Sequence, residues 1–445
     1  MKYKKSIYNV VIETLSNGDI LLFNSASCAF GVLENKYIPF YENLEIKTSD
    51  TINFDEKEFL NCMINNGFIV DYELDEYALI NLNEKLARYS STSAKTLTIA
   101  PTLGCNMACP YCFESHKNKK GMDLETQEQL LNFIKAFTKD ASMLKIIWFG
   151  GEPLIELNTI VNLSHKIIEL CTKNNIRYES SIVTNGILLN YNTAKILVDE
   201  CKISHVQITI DGLRDVHNSR RKLINNDDSF GIIIDNIESV KELIDISIRV
   251  NVDKDNEDQV IKLIDFFILD KQWGNDDRIT FYFGPIEKST EECNISDDSC
   301  FDPVEFAGVL KASYEHLYKH KYYHAFERLF SVSKLVCCGA VTQSSLVIDP
   351  LGDIYTCWNT LGNTQYKIGN ISDKLVINTK WIPWLDIDRP QECNSCNILP
   401  LCRAECAFKR LKNGNKVSCS HKKNTYKDLL KYIYKSSIVE QVITN

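Results

Sequence analysis

The stretch from about residue 96 to residue 285 alternates short apolar runs with longer amphipathic ones. Apolar runs of this length predict strands, and the stretches between them have helical periodicity. Strands that alternate with helices form a parallel sheet with right-handed connections. Because six units are too few for an eight-fold barrel, the sequence predicts an α/β fold with a partial (β/α)6 barrel. The predicted strands are Thr96–Ala100, Leu144–Phe149, Ser180–Thr184, His205–Ile210, Asp245–Val252 and Arg278–Phe283, and the predicted helices include Leu124–Phe137, Val161–Thr172 and Thr193–Glu200.

The residues before this stretch follow a different pattern. Tyr8–Thr14 and Asp19–Asn24 flank a Ser-Asn-Gly turn and predict a β-hairpin. Helical stretches are expected around Ala29–Leu33 and Asp55–Asn65, and Gly67–Asp71 indicates a turn into a strand. This order predicts a winged-helix-like α+β module.

Composition narrows the function classes. The net charge is −9 and the isoelectric point is about 5.5, so the basic surface of a nucleic-acid-binding protein is absent. No apolar run in the sequence is long enough to span a bilayer. The basic N-terminus is not followed by the apolar stretch of a signal peptide. We therefore expect a cytoplasmic protein without nucleic-acid or membrane partners.

Three of the 17 cysteines have a spacing that predicts a metal centre. Cys105, Cys109 and Cys112 form a C-x3-C-x2-C motif in the loop after the first predicted strand, at the sheet edge where α/β proteins place their chemistry. Three thiolates at this spacing can hold three irons of a [4Fe–4S] cluster and leave the fourth iron without a protein ligand. A structural zinc site is the alternative that the spacing leaves open.

A second group of cysteines lies near the C-terminus. Cys393, Cys396, Cys402 and Cys406 have the spacing C-x2-C-x5-C-x3-C. Predicted regular structure is sparse around them, so this segment is expected to fold around metal. In a reducing compartment so many cysteines indicate metal ligands or catalytic thiols more than disulfides.

The triplet, with an aromatic residue before its last Cys, resembles the signature of the radical S-adenosylmethionine (radical SAM) family. A Gly-Gly-Glu-Pro segment after the second strand and further polar segments at later strand ends follow in the family's order. The resemblance implies that backbone of the Gly-Gly-Glu-Pro segment meets the methionine amino group and that Arg221 pairs with the carboxylate of the cofactor. Asn218 stands where relatives usually have Asp. The implied cofactor-binding residues are Tyr111, Gly150, Gly151, Glu152, Pro153, Thr184, Asn185, Asp211, Arg221, Arg249 and Asn251.

The C-terminal cysteines resemble a SPASM domain, an extension of radical SAM enzymes that holds two auxiliary [4Fe–4S] clusters. By this resemblance Cys393, Cys396, Cys402 and Cys419 bind the outer cluster, and Cys338, Cys357 and Cys406 bind the inner one. The fourth position of the inner cluster is either open or filled by Cys337, Cys293 or Cys300. The cofactors implied are three [4Fe–4S] clusters and S-adenosylmethionine.

These resemblances set the expected domains. They are a leader-recognition module at 1–92, a radical SAM partial barrel at 93–290, a bridging region at 291–336, a SPASM domain at 337–425 and a C-terminal helix at 426–445. The alternative for the first module is a structural cap or a dimerisation module.

The implied activity is that of a peptide maturase. A 5′-deoxyadenosyl radical removes a hydrogen from a ribosomally made, Cys-containing precursor peptide, and a thioether forms between a Cys sulfur and a carbon. Flavodoxin or ferredoxin is the expected reductant. A carbon–carbon crosslinker and a formylglycine-forming, sulfatase-maturase-like oxidase are the enzyme alternatives, and a zinc-bound binding module or an electron carrier are the others. Glu114, His116, Asp211 and Tyr282 lie near strand ends, but none is assigned as the general base.

Overall fold

The computed structural model describes residues 2–44, 53–90, 93–114, 120–288, 290, 293–330, 332–416 and 419–444. Its strands are β1 (Tyr3–Lys5), β2 (Asn9–Thr14), β3 (Ile20–Asn24), β4 (Phe30–Leu33), β5 (Ile69–Asp71), β6 (Ala94–Ile99), β7 (Met143–Trp148), β8 (Arg177–Val183), β9 (Ile203–Thr209), β10 (Asp245–Val252), β11 (Ile279–Pro285), β12 (Ser345–Ile348), β13 (Asp353–Tyr355) and β14 (Gly369–Asn370). Its α-helices are α1 (Ile38–Glu42), α2 (Phe54–Asn65), α3 (Glu76–Tyr89), α4 (Leu124–Phe137), α5 (Leu157–Lys173), α6 (Tyr191–Asp199), α7 (Arg214–Arg220), α8 (Ser229–Val240), α9 (Gln259–Asp265), α10 (Pro303–Lys319), α11 (His324–Leu329), α12 (Ile382–Leu385), α13 (Leu399–Cys402), α14 (Ala407–Lys412) and α15 (His421–Thr444).

The chain divides into two compact units. One contains residues 90–325 and 339–386, and the other contains residues 1–89, 326–338 and 387–445. The larger unit has a nine-stranded sheet in the order β11-β10-β9-β8-β7-β6-β12-β13-β14. Strands β6 to β11 are all parallel, with helices between them, so the predicted partial barrel is confirmed.

The sheet extends further than the sequence predicts. Strand β12 pairs in parallel with β6, with Leu346 opposite Leu97, and β13 and β14 then continue the sheet in antiparallel pairs. Strands β12 to β14 come from residues 345–370, a stretch that was expected to have little regular structure. They are short, and the apolar positions of β12 are buried like those of the barrel strands.

Local sequence explains where the barrel helices begin. Asp123, Asn190 and Asp228 each accept a hydrogen bond from a backbone N–H in the first turn of the helix that follows. Asp302 and Glu305 form a reciprocal capping box at the start of α10. The predicted helix Leu124–Phe137 is therefore confirmed at both ends.

In the smaller unit the predicted hairpin is confirmed, and β2 pairs with β3 across a turn in which Gly18 has φ 86°. The predicted helix around Ala29–Leu33 is wrong. Phe30–Leu33 form strand β4, which pairs with β3 so that Leu33 lies opposite Ile20. The segment is too short to nucleate a helix, and its β-favouring Phe30 and Val32 complete a three-stranded sheet.

This sheet is covered on both faces. On one face Leu22 and Leu33 pack with Phe40 of α1 and Leu60 of α2. On the other face Val10, Ile12, Leu21 and Phe23 pack with three apolar residues of the cysteine-rich C-terminal segment, Ile398, Leu401 and Leu430. The N-terminal and C-terminal segments therefore share one apolar core, while the expected domain boundaries stay predictions. No described helix has the length and apolarity needed to cross a membrane.

Candidate active site

A cavity of about 520 Å³ opens at the carboxyl ends of the parallel strands of the larger unit. We call it the strand-end cavity. Its size is in the range of cofactor and substrate sites. Its walls combine the three thiols of the predicted triplet with polar side chains from several strand ends. It is lined by Cys105, Met107, Cys109, Tyr111, Cys112, Phe113, Glu114, Phe149, Gly150, Gly151, Val183, Thr184, Asn185, Gln207, Thr209, Arg221, Arg249, Asn251, Tyr282, Pro285, Ile286, Glu287, Trp358 and Asn359.

The cysteine triplet lies in the loop that follows β6. The Met107 N–H donates to Cys105 Sγ over 3.4 Å, and the Asn185 side-chain amide lies 3.9 Å from the same sulfur. The Cys112 N–H donates to the Cys109 carbonyl over 3.2 Å, which closes the second half of the motif as a turn. Three thiols that share one cavity wall, one of which receives N–H groups, fit the ligand needs of an iron–sulfur cluster.

Gly150 and Gly151 lie directly against the start of this loop. Gly150 has φ 117°, a conformation that disfavours other residues, and a Cβ there would be 2.3 Å from the Thr102 carbonyl oxygen. A Cβ on Gly151 would be 2.2 Å from the carbonyl oxygen of Gly104. The Gly151 N–H also donates to the Thr102 carbonyl over 3.2 Å. Glycine is therefore required here by the cysteine loop itself, in addition to any ligand.

Glu152 lies behind the cavity wall and not on it. Its side chain is fully buried and accepts hydrogen bonds from Thr184 Oγ1 at 2.7 Å, Asn185 N–H at 2.7 Å and Leu154 N–H at 3.0 Å. Burial raises the pKa of the Glu152 carboxyl, and the three hydrogen bonds oppose this rise. Glu152 thus joins the ends of β7 and β8. Pro153 and Asp211, two other residues of the predicted cofactor set, also lie outside the lining of the cavity.

Tyr111 connects the cysteine loop to later strand ends. Its hydroxyl donates to Asp211 Oδ2 and accepts from Arg221 Nη1 at 2.7 Å. The Asn251 N–H donates to Asp211 Oδ1 over 3.0 Å. Burial raises the pKa of the Tyr111 phenol well above its usual range, so the phenol keeps its proton. The charge of Arg221 opposes this rise, whereas Asp211 and Cys109 add to it. The aromatic residue of the motif thereby fixes the loop against β9 and β10.

The next polar groups offer binding capacity for a cofactor. Arg221 is 7% exposed, lines the cavity, and its Nε–H has no hydrogen-bond partner among the described residues. Arg249 donates through Nε to Asn251 Oδ1 over 2.7 Å and also lines the cavity. A buried guanidinium with an unused donor fits a carboxylate ligand. These residues and the three thiols therefore fit a cluster with bound S-adenosylmethionine.

Asn218 and His217 have supporting positions. Asn218 Oδ1 accepts from the Phe230 N–H over 2.8 Å and from Ser229 Oγ over 2.9 Å, which fixes the start of α8. Burial, with Arg221 adding to it, lowers the pKa of His217 well below its usual range. Neutral His217 then accepts the Asp211 N–H at Nδ1 over 3.3 Å. The side-chain oxygen of Asn218 is enough to fix the start of α8, so this contact does not require the Asp that relatives usually have at position 218.

Several lining residues were not in the predicted site. Gln207 and Thr209 face the cavity from alternate positions of β9, and Tyr282 donates to Gln207 Oε1 over 2.8 Å. Polar residues two apart in an apolar strand are the signal that would have found them. Trp358 stacks on Phe149 with ring centroids 5.5 Å apart. The base candidate His116 lies outside the described residues.

The second cysteine group lies in the smaller unit. Burial, and then the facing thiols of Cys396 and Cys419, raise the pKa of Cys393 to about 11. Burial raises the pKa of Cys402 to about 12, with contributions from Glu405 and Cys393. The four cysteines predicted for the outer auxiliary cluster therefore face one another closely enough to interact. Thiols grouped in this way offer the ligands of an iron–sulfur or zinc site.

Buried arginines lie in the same unit, and the charge of one of them, Arg410, opposes the rise of the Cys393 pKa. Glu84, only 1% exposed, pairs with Arg88 and lies 3.6 Å from both Arg389 and Arg403. Arg410 is also 1% exposed, and its Nε and Nη2 have no hydrogen-bond partner among the described residues. One carboxylate among four guanidinium groups leaves an excess of buried positive charge, and such a charge needs an anionic partner. A thiolate-bound cluster carries the required negative charge, so the residues present fit it.

The predicted inner-cluster cysteines are divided between the two units, since Cys357 belongs to the larger one and Cys338 and Cys406 to the smaller one. Their shared ligation stays a prediction. Of the candidates for the fourth ligand, Cys337 has its sulfur 3.9 Å from that of Cys338. Buried Cys293 donates to the Tyr111 carbonyl over 3.5 Å and so lies against the triplet loop. The third candidate is Cys300, which lies 3.9 Å from the Ser296 carbonyl oxygen.

Part of this chain matches a known family, and a longer part aligns with a known enzyme. Residues 99–267 match the family model of the radical SAM superfamily. The chain is 24% identical over 328 residues to the cysteine-type anaerobic sulfatase-maturating enzyme of Clostridium novyi (strain NT), an alignment that covers 68% of this chain and 84% of that protein.

Two solved structures extend the likeness of fold. The structure of anSMEcpe with bound AdoMet and the Cp18Cys peptide has a TM-score of 0.61 and 22% identity, and covers 79% of this chain and 99% of that one. SuiB from Streptococcus suis, bound to precursor peptide SuiA, has a TM-score of 0.53 and 17% identity, and covers 92% of this chain and 97% of that one. The cysteine triplet and the strand-end cavity agree with the family match, so this chain carries a radical SAM domain over residues 99–267.

Proposed function

We propose that the protein is a radical SAM peptide maturase that forms thioether crosslinks in a Cys-containing precursor peptide. The observation that carries the proposal is the strand-end cavity, where three cysteine thiols share a wall with Arg221, Arg249 and the glycine pair. When bound, the reduced cluster and S-adenosylmethionine supply one-electron cleavage of the cofactor and removal of a hydrogen from an unactivated carbon.

The chain's own residues position and shield this chemistry. Arg221 is placed to hold the cofactor carboxylate, and the glycines allow backbone to approach the loop of the triplet. Tyr111 fixes that loop to Asp211, and Phe149 with Trp358 forms an aromatic part of the cavity wall.

Thioether formation removes two hydrogens from the peptide, one from sulfur and one from carbon. The second electron has to leave the substrate after the first hydrogen is removed. We assign its acceptance to the auxiliary clusters, held by Cys393, Cys396, Cys402 and Cys419 for one cluster and by Cys338, Cys357 and Cys406 for the other. Support comes from the mutual pKa effects of the outer set and from the buried arginines near it.

A peptide substrate is supported by the two structures of similar fold, since anSMEcpe was solved with the Cp18Cys peptide and SuiB with precursor peptide SuiA. In the smaller unit, β4 pairs with β3 on one side, and no described strand pairs with its other side. Such an edge can accept a peptide as an added strand. We assign leader recognition to this edge, where Val32 is 42% exposed.

A second candidate is a sulfatase-maturase-like oxidase, favoured by the alignment with the Clostridium novyi enzyme over 84% of its length. The two functions differ in their product. A thioether joins two residues with a loss of two hydrogens, whereas conversion of Cys to formylglycine removes the sulfur.

The experiment is anaerobic incubation of the reconstituted, reduced protein with S-adenosylmethionine and a Cys-containing precursor peptide encoded beside its gene. We expect a peptide lighter by two hydrogens per crosslink, with its Cys no longer alkylated by iodoacetamide. A product that has lost sulfur indicates the oxidase. A peptide of unchanged mass, alongside efficient formation of 5′-deoxyadenosine, refutes the thioether proposal while leaving the enzyme class intact.

Two matched variants test whether the leader peptide binds at the β4 edge. Val32→Asp places a charge at the exposed β4 edge, and Val11→Asp places one on β2, where Val11 is 51% exposed. We expect only Val32→Asp to weaken precursor binding, measured by fluorescence anisotropy of a labelled peptide. Equal effects of the two variants contradict the assignment to β4.

A further inference from the structure

Outside the strand-end cavity, three metal-ligating side chains meet where α9 and α10 end. Asp265, His316 and His320 each offer one ligand atom, and these atoms all lie within 4.8 Å of one another. His316 Nε2 lies 2.6 Å from Asp265 Oδ1, and the two imidazole rings have centroids 4.4 Å apart. His316 and His320 are four residues apart and so project from the same side of the helix end.

We propose that Asp265, His316 and His320 form a binding site for a divalent transition metal of the zinc class. Two imidazoles and one carboxylate are ligands that zinc accepts, with water completing a tetrahedron. In such a tetrahedron, ligand atoms about 2.0–2.2 Å from the metal are about 3.3 Å from one another. His316 Nε2 and Asp265 Oδ1 are 2.6 Å apart, and all three ligand atoms lie within 4.8 Å of one another. Because His320 is exposed and the other two side chains are partly exposed, side-chain rotations can place the three atoms around an ion.

The electrostatics of the helix end favour a cation. His320 is the C-cap residue of α10, and its N–H donates to the His316 carbonyl over 3.1 Å. The last carbonyl groups of a helix carry partial negative charge that attracts cations. Two lysines of these helices pair with other carboxylates, Lys319 with Glu315 and Lys262 with Asp258. Asp265 is the carboxylate that faces the two histidines.

The backbone at Asp265 supports a special role as well. Asp265 is the last α-helical residue of α9, and Phe266–Asp270 continue the helix as a π-helical turn. π-helical turns are uncommon and often occur at functional sites. Here the wider turn follows directly after the proposed carboxylate ligand, so the change of helix type coincides with the site.

The site belongs to the end of the barrel opposite the strand-end cavity. Each helix follows a strand and runs back along it, so α9 after β10 and α10 after β11 both end near the amino ends of the strands. Features at that end of a barrel usually serve stability, while catalysis occupies the other end. We therefore assign the metal the role of a clamp between α9 and α10, independent of the proposed function.

The test uses the full chain with its clusters assembled, so that the cluster cysteines are occupied. One equivalent of Zn²⁺ is added without oxygen, unbound metal is removed by gel filtration, and zinc is measured by mass spectrometry and by X-ray absorption at the zinc edge. The variants are His316→Ala/His320→Ala, Asp265→Asn and the control His165→Ala, which removes a partly exposed histidine that lies 3.3 Å from Glu200. Iron content reports whether each variant is folded.

We expect wild type and His165→Ala to retain about one zinc with nitrogen and oxygen ligands at about 2.0–2.1 Å. The double variant should retain at least tenfold less at full iron content, and the melting temperature should rise with zinc only in wild type and the control. If the double variant loses iron and so is not folded, the zinc retained by Asp265→Asn is compared with that of wild type instead. Zinc bound through sulfur at about 2.3 Å, or equal retention in wild type and Asp265→Asn, overturns the proposal.

Discussion

Gly151→Ala tests how closely the Gly-Gly-Glu-Pro segment and the cysteine loop depend on each other. The added Cβ would be 2.2 Å from the Gly104 carbonyl oxygen and 2.5 Å from that of Leu103. Carbon and oxygen need about 3.0 Å or more, so the contact must open by roughly 0.8 Å (3.0 − 2.2). Both obstructing atoms belong to the backbone just before Cys105, and they cannot rotate away.

A displacement of this size has a predictable cost. Reactive geometry has to be held to about 0.5 Å, and a misplacement of about 1 Å can reduce a rate on the order of 100-fold. We expect Gly151→Ala to form 5′-deoxyadenosine at least about 100-fold more slowly than wild type. The electron paramagnetic resonance signal of the reduced triplet cluster should also respond less to S-adenosylmethionine.

Gly308→Ala is the matched control. Gly308 lies within α10, and a Cβ added there would have no heavy atom within 4 Å. Alanine at this position should leave the rate unchanged and stabilise the helix by up to about 1 kcal/mol. A Gly151→Ala protein with a wild-type rate and a wild-type spectral response would refute the reasoning, because the structure leaves no space for that methyl group.

Three further predictions follow from other residues. Glu152→Gln should lower the free energy of unfolding in urea by roughly 1–3 kcal/mol, because the new amide faces the Asn185 N–H with a second donor; an unchanged midpoint contradicts this. Burial raises the pKa of Asp349 to about 6, above the usual 3.8, so wild type loses up to about 3 kcal/mol of stability as the pH rises from 4 to 8. Asp349→Asn lacks this loss, so its free energy of unfolding relative to wild type should rise between pH 4 and pH 8. A difference between the two proteins that does not change with pH contradicts the raised pKa of Asp349. Cys109→Ala should lower the iron content by about 4 per chain and abolish 5′-deoxyadenosine, whereas Cys393→Ala should lose a similar amount of iron but retain cofactor cleavage; loss of cleavage in both variants contradicts the separate roles.

Most of the barrel could be predicted because its strands are buried apolar runs. Strand Asp245–Val252 was predicted with its bounds, and the cysteine triplet falls after the first barrel strand as expected. Strand β12 was missed because its four residues give too short a signal, and its pairing with β6 depends on a partner about 250 residues away in the chain. The strand at Phe30–Leu33 was mistaken for a helix because its pairing with β3, and not its local sequence, determines its conformation.

The sequence predicted the motif residues that line the cavity. It predicted less well the residues that lie behind the cavity wall and hold the lining residues in place. Glu152 was placed among the cofactor ligands, yet its carboxylate is fully occupied by Thr184, Asn185 and Leu154. The i,i+4 spacing of Glu84 and Arg88 on α3 is a sequence signal for a pair, but the approach of Arg403 to Glu84 is not, because more than 300 residues separate them. Such networks are determined by tertiary packing, which sequence patterns do not report.

The central claim is that the Cys105, Cys109 and Cys112 thiols hold a cluster with an iron open to S-adenosylmethionine. The most direct measurement is the yield of 5′-deoxyadenosine from the anaerobically reconstituted, dithionite-reduced protein, compared with the variant in which all three cysteines are Ala. The account predicts multiple turnovers for wild type and none for the variant, whose auxiliary iron should remain. No 5′-deoxyadenosine from wild type with its full iron content would contradict the account.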